Sequence, residues 1–299
     1  MKTIVVATDF SERSDRAIRR AKLLAREFDS RLHLVHVVDD DRWQAVVLAE
    51  QDASTKILEE MANTIEGNDG LKCDFRVVLG KPFAGITQAA RDIEADLIVI
   101  GPHRRQLLRG ILVGTTVERT IRTSDRPIFL ANGIPAGSYS RALVASDLSA
   151  YSAATIRTAN TIGLLDRLNV SLLNVFSTLG AALMSRASMS DDEKRSYLTR
   201  ERSRAGKEAA SFMNNLKVDG MSTILKPDTV SIADTICETA IELSAELIVI
   251  GTSVRSAILR VILGSVTEGV LSTTDRDVLA IPPHQIQANG ANKADGAVS

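Results

Sequence analysis

The sequence predicts an α/β protein built from two tandem, doubly wound parallel sheets of five strands each, packed together as a pseudo-dimer. Three observations lead to this prediction. The length of 299 residues is about twice that of a common domain, the chain repeats itself, and each half alternates short β-branched runs with helical patterns. The nearly continuous apolar character of those runs is typical of parallel strands that helices cover on both faces.

An internal repeat sets the number of domains. The segment ADLIVIG at residues 95–101 returns as AELIVIG at residues 245–251. Extended without gaps over 95–131 and 245–281, the two copies share 12 identities in 37 positions. A repeat of this length indicates duplicated domains rather than a stacked-repeat architecture.

The boundary between the copies follows from local composition. Residues 132–140 are rich in Gly, Pro and Ser, which is typical of a linker. We therefore expect one domain at residues 1–137 and a second at 138–283. The tail at 284–299 is polar and rich in small residues, so we expect it to be disordered.

Each half contains five apolar runs that predict strands. In the first half they lie at residues 3–8, 31–38, 72–79, 96–101 and 127–131. The segment after the first run has Ser11 as a helix N-cap and arginines on the face opposite its apolar residues, which are Ala17, Ala21, Leu24 and Phe28. Further helices are predicted at residues 42–66, 83–93 and 114–122. The second half repeats the order, with strands near residues 141–146, 169–176, 222–226, 246–251 and 277–281.

Composition excludes several classes of protein. The 36 basic and 37 acidic residues give a net charge of −1, so no global charge attracts nucleic acid or anionic lipid. Aromatic residues make up only 4%, which argues against a stacking surface for single-stranded nucleic acid. No apolar run approaches the ~20 residues that a membrane span requires. Two distant cysteines, Cys73 and Cys237, fit a reducing compartment, and we expect a cytoplasmic protein.

Polar groups follow the predicted strands where an open parallel sheet binds its ligands. Asp9 and Asp147 each place a carboxylate just past the first strand of a copy. The fourth strand of each copy runs into a glycine, and a second glycine with a hydroxyl residue then starts a helix; these residues are Gly101, Gly114 and Thr115, and Gly251, Gly264 and Ser265. Backbone N–H groups at such a helix start form a ready phosphate site.

These segments resemble the universal stress protein family, and the resemblance spans nearly the whole chain as two tandem copies. The first copy carries it in IVVATDFSERSDRAIRRAKLLA, LHLVHVVDD and ADLIVIGPHRRQLLRGILVGTTVERTIRTSDRPIFL. The second carries it in ALVASDLSAYSAATIRTA and AELIVIGTSVRSAILRVILGSVTEGVLSTTDRDVLAI. Nucleotide-binding members, whose fold is Rossmann-like, have the pattern G-x2-G-x9-G-[ST]. Both copies keep this spacing, but Arg104 and Val254 replace the middle glycine.

The resemblance implies roles for individual residues. Asp9 and Asp147 correspond to a carboxylate that faces the adenine–ribose, and Val37 and Val175 to a valine that contacts adenine. His103 occupies a loop position that often bears histidine in nucleotide-binding relatives. The implied phosphate cradle consists of Gly101, Gly114 and Thr115 in the first copy, and of Gly251, Gly264, Ser265 and Val266 in the second.

The two implied sites differ in charge and in backbone. Arg104 either contacts phosphate through its guanidinium or fills the pocket, whereas Val254 offers no donor. Six arginines against two acidic residues give residues 101–126 a net charge of +4, and three against two give residues 251–276 a net charge of +1. The first site is therefore better suited to a polyphosphate by its positive charge. The second is better suited by its backbone, since its Gly-Ser-Val-Thr segment is closer to the family pattern.

The leading hypothesis is a stress-response protein that binds an adenine nucleotide, ATP, in one or both clefts and signals through protein partners. The alternative is a nucleotide-free member that acts as an interaction or scaffold module. No catalytic base or metal site can be named, because the chain has no GxxxxGK[ST], GxSxG or HExxH pattern. Any ATP hydrolysis should therefore be slow. His36, on the second strand, is expected to be a hydrogen-bonded histidine of the sheet.

The last strand of each copy suggests how the halves assemble. Residues 127–131 and 277–281 form apolar strands at sheet edges, and such edges need to be covered. Their matching positions predict an antiparallel pairing of the halves about a pseudo-twofold axis. A further homodimer of the whole chain stays open.

Overall fold

A computed structural model describes residues 1–102, 115–180, 189–216, 218, 220–252 and 263–283. These residues contain ten strands and eight helices. Three of the predicted site residues, His103, Arg104 and Gly114, lie outside the described residues, as does the tail at 284–299.

The elements of the first half follow the predicted order. Its strands are β1 (Thr3–Ala7), β2 (Arg31–Val38), β3 (Cys73–Leu79), β4 (Leu97–Ile100) and β5 (Ile128–Leu130). Its helices are α1 (Glu12–Phe28), α2 (Gln44–Asp69), α3 (Pro82–Asp92) and α4 (Thr116–Thr123).

The second half repeats this order. Its strands are β6 (Arg141–Ala145), β7 (Asn169–Phe176), β8 (Met221–Pro227), β9 (Leu247–Gly251) and β10 (Asp277–Ile281). Its helices are α5 (Ala150–Thr161), α6 (Asp191–Leu216), α7 (Ile232–Glu242) and α8 (Ser265–Thr273). All ten predicted strands are found, with ends within one residue of the prediction.

Local signals explain where the helices after β1 and β6 begin. The Ser11 side chain accepts a hydrogen bond from the backbone N–H of Ser14, and this confirms the predicted N-cap of α1. In the second copy Ser149 caps α5 in the same way, through the N–H of Ser152. These caps satisfy N–H groups that the first turn of a helix leaves free. The repeat is therefore preserved in capping as well as in pattern.

The ten strands form one continuous sheet in the order β3-β2-β1-β4-β5-β10-β9-β6-β7-β8. Within each half all neighbouring strands are parallel. The halves meet where β5 pairs antiparallel with β10, with Phe129 opposite Leu279. The palindromic order confirms both the doubly wound fold and the pseudo-twofold pairing of the halves.

Helices cover both faces of this sheet, because successive strand residues point to opposite sides. Ile4 and Val6 pack with α1, α2, α5 and α6 on one face, whereas Val5 and Ala7 belong to the core with α3, α4, α7 and α8 on the other. No helix in the described ranges is both long enough and apolar enough to cross a membrane.

A buried charged group joins the two halves beside the β5–β10 pair. The carboxylate of Asp277, on β10, accepts a hydrogen bond from the N–H of Gly133 at 2.6 Å and another from the Tyr139 hydroxyl. Nε of Arg20, on α1, lies 3.0 Å from Oδ2 of Asp277, and its Nη1 donates to the carbonyl oxygen of Gly137 at 2.7 Å. We call Arg20, Tyr139 and Asp277 the interdomain cluster.

The prediction that the arginines of α1 lie opposite its apolar face is wrong for Arg20, whose exposed fraction is 5%. Arg20 lies one turn from both Ala17 and Leu24, so the helix turns it toward the sheet. Its charge is neutralised there by Asp277, and its guanidinium lies 4.3 Å from the ring centre of Tyr139. Burial and the nearby carboxylate raise the pKa of Tyr139 well above its usual value, so the hydroxyl stays protonated as a donor.

We predict that breaking the interdomain cluster destabilises the whole chain. Arg20→Met leaves the Asp277 carboxylate buried without a cation, so the free energy of unfolding should fall by about 3–5 kcal/mol. Tyr139→Phe removes one hydrogen bond to a charged group and should cost about 1.5–3 kcal/mol. Urea denaturation followed by circular dichroism measures both.

The matched control is Arg19→Ala, which removes an exposed ion pair with Asp15. That change should cost about 1 kcal/mol or less. Equal losses from the Arg19 and Arg20 variants would contradict the role of the interdomain cluster.

We also predict that neither half is stable as a monomer. Residues 1–137 and 138–283 expressed separately would each expose an apolar edge, β5 or β10, and should dimerise or aggregate. Mixing them should give a complex of one copy of each, because Arg20 and Asp277 come from different halves. Light scattering distinguishes the cases, and two stable monomeric halves would refute the prediction.

Candidate functional site

Each half has a cleft at the carboxyl ends of its central strands. Between β1 and β4 the strand order reverses, and the chain leaves toward opposite faces of the sheet, which opens a crevice there. The first cleft has a volume of about 340 Å³ and the second, between β6 and β9, about 640 Å³. Both volumes lie within the usual range of small-molecule sites, about 300–1,000 Å³.

The structure brings the described candidate residues together around these clefts. The first cleft is lined by Asp9, Val37, Gly101 and Thr115. The second is lined by Asp147, Val175, Gly251, Gly264, Ser265 and Val266. Residues that are far apart in sequence thus meet at one edge of the sheet, as the position of the strand ends predicts. In the part of the chain that the structure describes, no group of three or more His, Cys, Asp or Glu residues could hold a metal ion.

Asp9 lies at the rim of the first cleft and is held by the start of α1. Oδ1 of Asp9 accepts hydrogen bonds from the backbone N–H of Ser11, at 3.1 Å, and from the Ser11 hydroxyl. Burial raises the pKa of Asp9, but hydrogen bonding by Ser11 and Ser14 and the charge of Arg13 outweigh it, so the pKa lies below its usual value. The carboxylate is therefore ionised at neutral pH and oriented to accept hydrogen bonds from a ligand.

Asp147 occupies the equivalent place in the second cleft with one difference. Its Oδ1 accepts from the Ser149 N–H at 3.0 Å and from the Ser152 hydroxyl at 2.6 Å. Burial raises the pKa of Asp147, but the hydrogen bonds of Ser149 and Ser152 outweigh this effect and lower it overall. Whereas Nη2 of Arg13 lies 3.8 Å from Asp9, the matching position in the second copy is Tyr151, which carries no charge.

The helix starts that face the clefts also differ. Thr115 is the N-cap of α4, and its side-chain oxygen accepts from the N–H of Glu118 at 3.1 Å. Gly264 is the N-cap of α8 and has no side chain that could accept a hydrogen bond. The N–H groups at that helix start are therefore not engaged by their own N-cap residue. Both helix starts can accept a negatively charged or acceptor group, and that of α8 does so with less internal competition.

Packing accounts for the glycine after β4 and contributes to the choice of glycine at the end of β9. A Cβ on Gly101 would lie 2.4 Å from the backbone carbonyl oxygen of Arg13, so only glycine lets α1 approach β4 this closely. A Cβ on Gly251 would lie 2.6 Å from Oγ1 of Thr155, a side-chain atom. The two glycines therefore have a structural role whether or not a ligand lies beside them.

Sequence reasoning missed the position of His36 in the lining of the first cleft. Nδ1 of His36 lies 2.9 Å from the carbonyl oxygen of Thr8, which confirms the expected hydrogen bond, but its buried Nε2 has no partner among the described residues. The ring also stacks on Phe10, with centres 4.3 Å apart. The second copy has Asn174 at the matching position, and its side-chain amide donates to the carbonyl oxygen of Ser146 at 3.0 Å.

We predict that Gly101→Ala lowers the free energy of unfolding by about 1–3 kcal/mol, since a backbone carbonyl must move to admit the methyl group. Gly251→Ala should cost less, because the Thr155 side chain can rotate away. Adding Thr155→Ala to Gly251→Ala should restore stability, whereas no single side-chain truncation should rescue Gly101→Ala. Urea titrations of the four proteins test this, and a neutral Gly101→Ala would exclude the packing role.

Known proteins share this architecture and these sequence segments. The sequence model of the universal stress protein family matches residues 1–131 and again 138–282. Universal stress protein MJ0577 of Methanocaldococcus jannaschii is 26% identical over 151 residues, covering 43% of this chain and 93% of that protein.

Solved structures show the same fold over nearly the whole chain. A universal stress protein from Archaeoglobus fulgidus superimposes with a TM-score of 0.67 at 18% identity, covering 94% of this chain and 98% of that one. A putative universal stress protein from Pseudomonas aeruginosa gives 0.61 at 19% identity, with 98% of each chain covered. Because the family model matches both halves, the chain belongs to the universal stress protein family and carries two copies of its domain in tandem.

Proposed function

We propose that this protein binds an adenine nucleotide, ATP, in one or both clefts and that the bound state is passed on to protein partners in a stress response. The observation that carries the proposal is the convergence of three chemical groups on one cavity in each copy. An ionised carboxylate, an apolar strand residue and a helix start line each cleft. The carboxylate suits the ribose hydroxyls of a nucleotide, the apolar residue suits its base, and the helix start suits its phosphates.

Each group has a definite part in this proposal. Asp9 or Asp147 accepts hydrogen bonds from ribose hydroxyls, as a carboxylate already oriented by serine donors is suited to do. Val37 or Val175 offers an apolar surface to the base. Backbone N–H groups at the start of α4 or α8 donate to phosphate oxygens.

The proposed activity is binding rather than turnover. The titratable side chains in the described lining of the first cleft are Asp9, Arg13 and His36. Asp9 is engaged by Ser11, and Nδ1 of His36 is engaged by the Thr8 carbonyl oxygen. Nε2 of His36 has no partner among the described residues, which leaves it as a candidate general base. We propose that any hydrolysis of bound ATP is slow.

We predict that glycine substitutions at the helix starts weaken ATP but spare adenosine. Gly264→Val and Gly114→Val place a branched side chain where backbone N–H groups must reach phosphate. Loss of one or two charge-assisted hydrogen bonds, about 1.5–3 kcal/mol each, weakens binding about tenfold to a hundredfold per contact. Asp147→Ala and Asp9→Ala should weaken adenosine and ATP alike. Isothermal titration calorimetry measures all of these affinities.

The matched control is Gly67→Val, since a Cβ at Gly67 would meet nothing within 4 Å and the residue lies in α2 away from both clefts. It should leave both affinities unchanged. A folded Gly114→Val/Gly264→Val double variant that binds ATP as tightly as the wild type would refute the proposal. Absence of any ATP or adenosine binding to the wild type would favour the nucleotide-free interaction module.

A further inference from the structure

The hydroxyl of Thr155, on α5, is turned away from its own helix. Threonines inside helices commonly donate to the carbonyl oxygen four residues earlier. Thr161 of α5 does so, to Arg157 at 2.8 Å, and Thr235 and Thr239 of α7 do the same. Thr155 is 1% exposed, and its Oγ1 makes no such bond and has no partner among the described residues. Its side chain therefore forgoes the local hydrogen bond that a helix offers.

The Thr155 hydroxyl is directed at the end of β9. A Cβ placed on Gly251 would lie 2.6 Å from Oγ1 of Thr155, but 3.7 Å and 3.8 Å from the Cβ and Cγ2 of that side chain. Both residues line the second cleft. The oxygen, rather than the methyl group, is thus the part of Thr155 that lies nearest to Gly251.

The start of α8 meets the same glycine. Oγ1 of Thr267, in the first turn of α8, donates to the carbonyl oxygen of Gly251 at 3.2 Å. The N–H groups of Ser265, Val266 and Thr267 precede the first intrahelical hydrogen bond of α8. They can donate to an acceptor at the end of the helix that carries a positive partial charge. Gly251 is therefore contacted both by a buried hydroxyl and by a helix start.

The first copy has neither of these two hydroxyls. Ala17 matches Thr155, and Val117 matches Thr267. Both of these apolar residues are buried in the core of their half. Because the same fold accepts apolar side chains at both positions, packing does not require the two threonines of the second cleft.

A phosphate oxygen can accept from both kinds of donor beside Gly251. A buried hydroxyl without a partner is costly, and donation to an anionic oxygen gives it a strong, charge-assisted hydrogen bond. The N–H groups of the α8 start favour the same anionic group. Asp147 follows β6, the strand that pairs with β9. A ribose at Asp147 and a phosphate at Gly251 would therefore lie side by side over neighbouring strands.

We propose that Thr155 is a further phosphate-binding residue of the second cleft, and that its hydroxyl donates to a phosphate oxygen held at the start of α8. This role rests on the proposed nucleotide binding. It extends that binding to a residue of α5 for which the family resemblance implies no part. The first cleft, with Ala17 at the matching position, has no equivalent donor.

The test compares ATP with adenosine in the full-length Asp9→Ala protein, whose weakened first cleft lets calorimetry report on the second. Thr155→Val removes the hydroxyl and keeps the shape of the side chain. It should weaken ATP about tenfold or more, through the loss of one charge-assisted hydrogen bond, and leave adenosine unchanged. Thr155→Ala also lacks the hydroxyl and should show the same loss, whereas Thr155→Ser keeps the hydroxyl and should keep the affinity for ATP.

The matched control is Thr161→Val on the same helix. The Thr161 hydroxyl bonds Arg157, and the residue is exposed and outside the described lining of the second cleft. This variant should leave the affinities for ATP and adenosine unchanged. Circular dichroism and urea denaturation establish that each variant is folded.

The pattern among these variants decides the role of the hydroxyl. Unchanged ATP affinity in Thr155→Val would mean that the hydroxyl binds only water or a protein group, and the proposal fails. It also fails if adenosine weakens as much as ATP, or if Thr155→Ser loses as much affinity as Thr155→Val. If the wild type binds ATP but the Asp9→Ala protein does not, the role of Thr155 is refuted while nucleotide binding in the first cleft stands. If neither protein binds ATP, the nucleotide proposal itself fails.

Discussion

The antiparallel pairing of β5 with β10 is the constraint on which the rest of the molecule depends. Both strands are buried and apolar apart from Asp277 at the start of β10, and in a single domain each would be an open edge of a parallel sheet. Pairing the two edges satisfies their backbone groups and merges two five-stranded sheets into one of ten strands. The same pairing relates the clefts by a pseudo-twofold axis and places them in different halves of one sheet.

The interdomain cluster makes this pairing specific to the two copies of one chain. Arg20 and Asp277 have no counterpart across the pseudo-twofold axis, because the matching residues are Thr158 and Pro127. A buried ion pair adds little net stability by itself, but a half that lacks one partner leaves a charge uncompensated. The cluster thereby disfavours pairing of identical halves, and Gly133 and Gly137 of the linker take part in it through their backbone groups.

The clefts show how duplicated copies diverge while their framework stays the same. Both keep an aspartate after the first strand, a serine cap on the following helix and a glycine after the fourth strand. The differences are single side chains on that framework. Threonine in place of alanine at position 155 adds a buried hydroxyl that has no partner among the described residues, and tyrosine in place of arginine at position 151 removes a positive charge. Thr155 and Tyr151 both line the second cleft, so each replacement changes the chemistry of its wall.

The sequence by itself determined the fold class, the order and limits of the strands, the cap at Ser11 and the pairing of the halves, because each depends on periodicity or on local hydrogen bonding. It also determined which described candidate residues meet at each cleft, since the carboxyl ends of parallel strands share one edge. Only the tertiary structure decided that Arg20 is buried, that Nε2 of His36 and Oγ1 of Thr155 lack partners among the described residues, and that the two clefts differ in volume. These properties depend on contacts between segments distant in the chain. No local pattern encodes how closely α1 approaches Gly101. Nor does any local pattern encode that the carboxylate of Asp277 pairs with Arg20 of the other half.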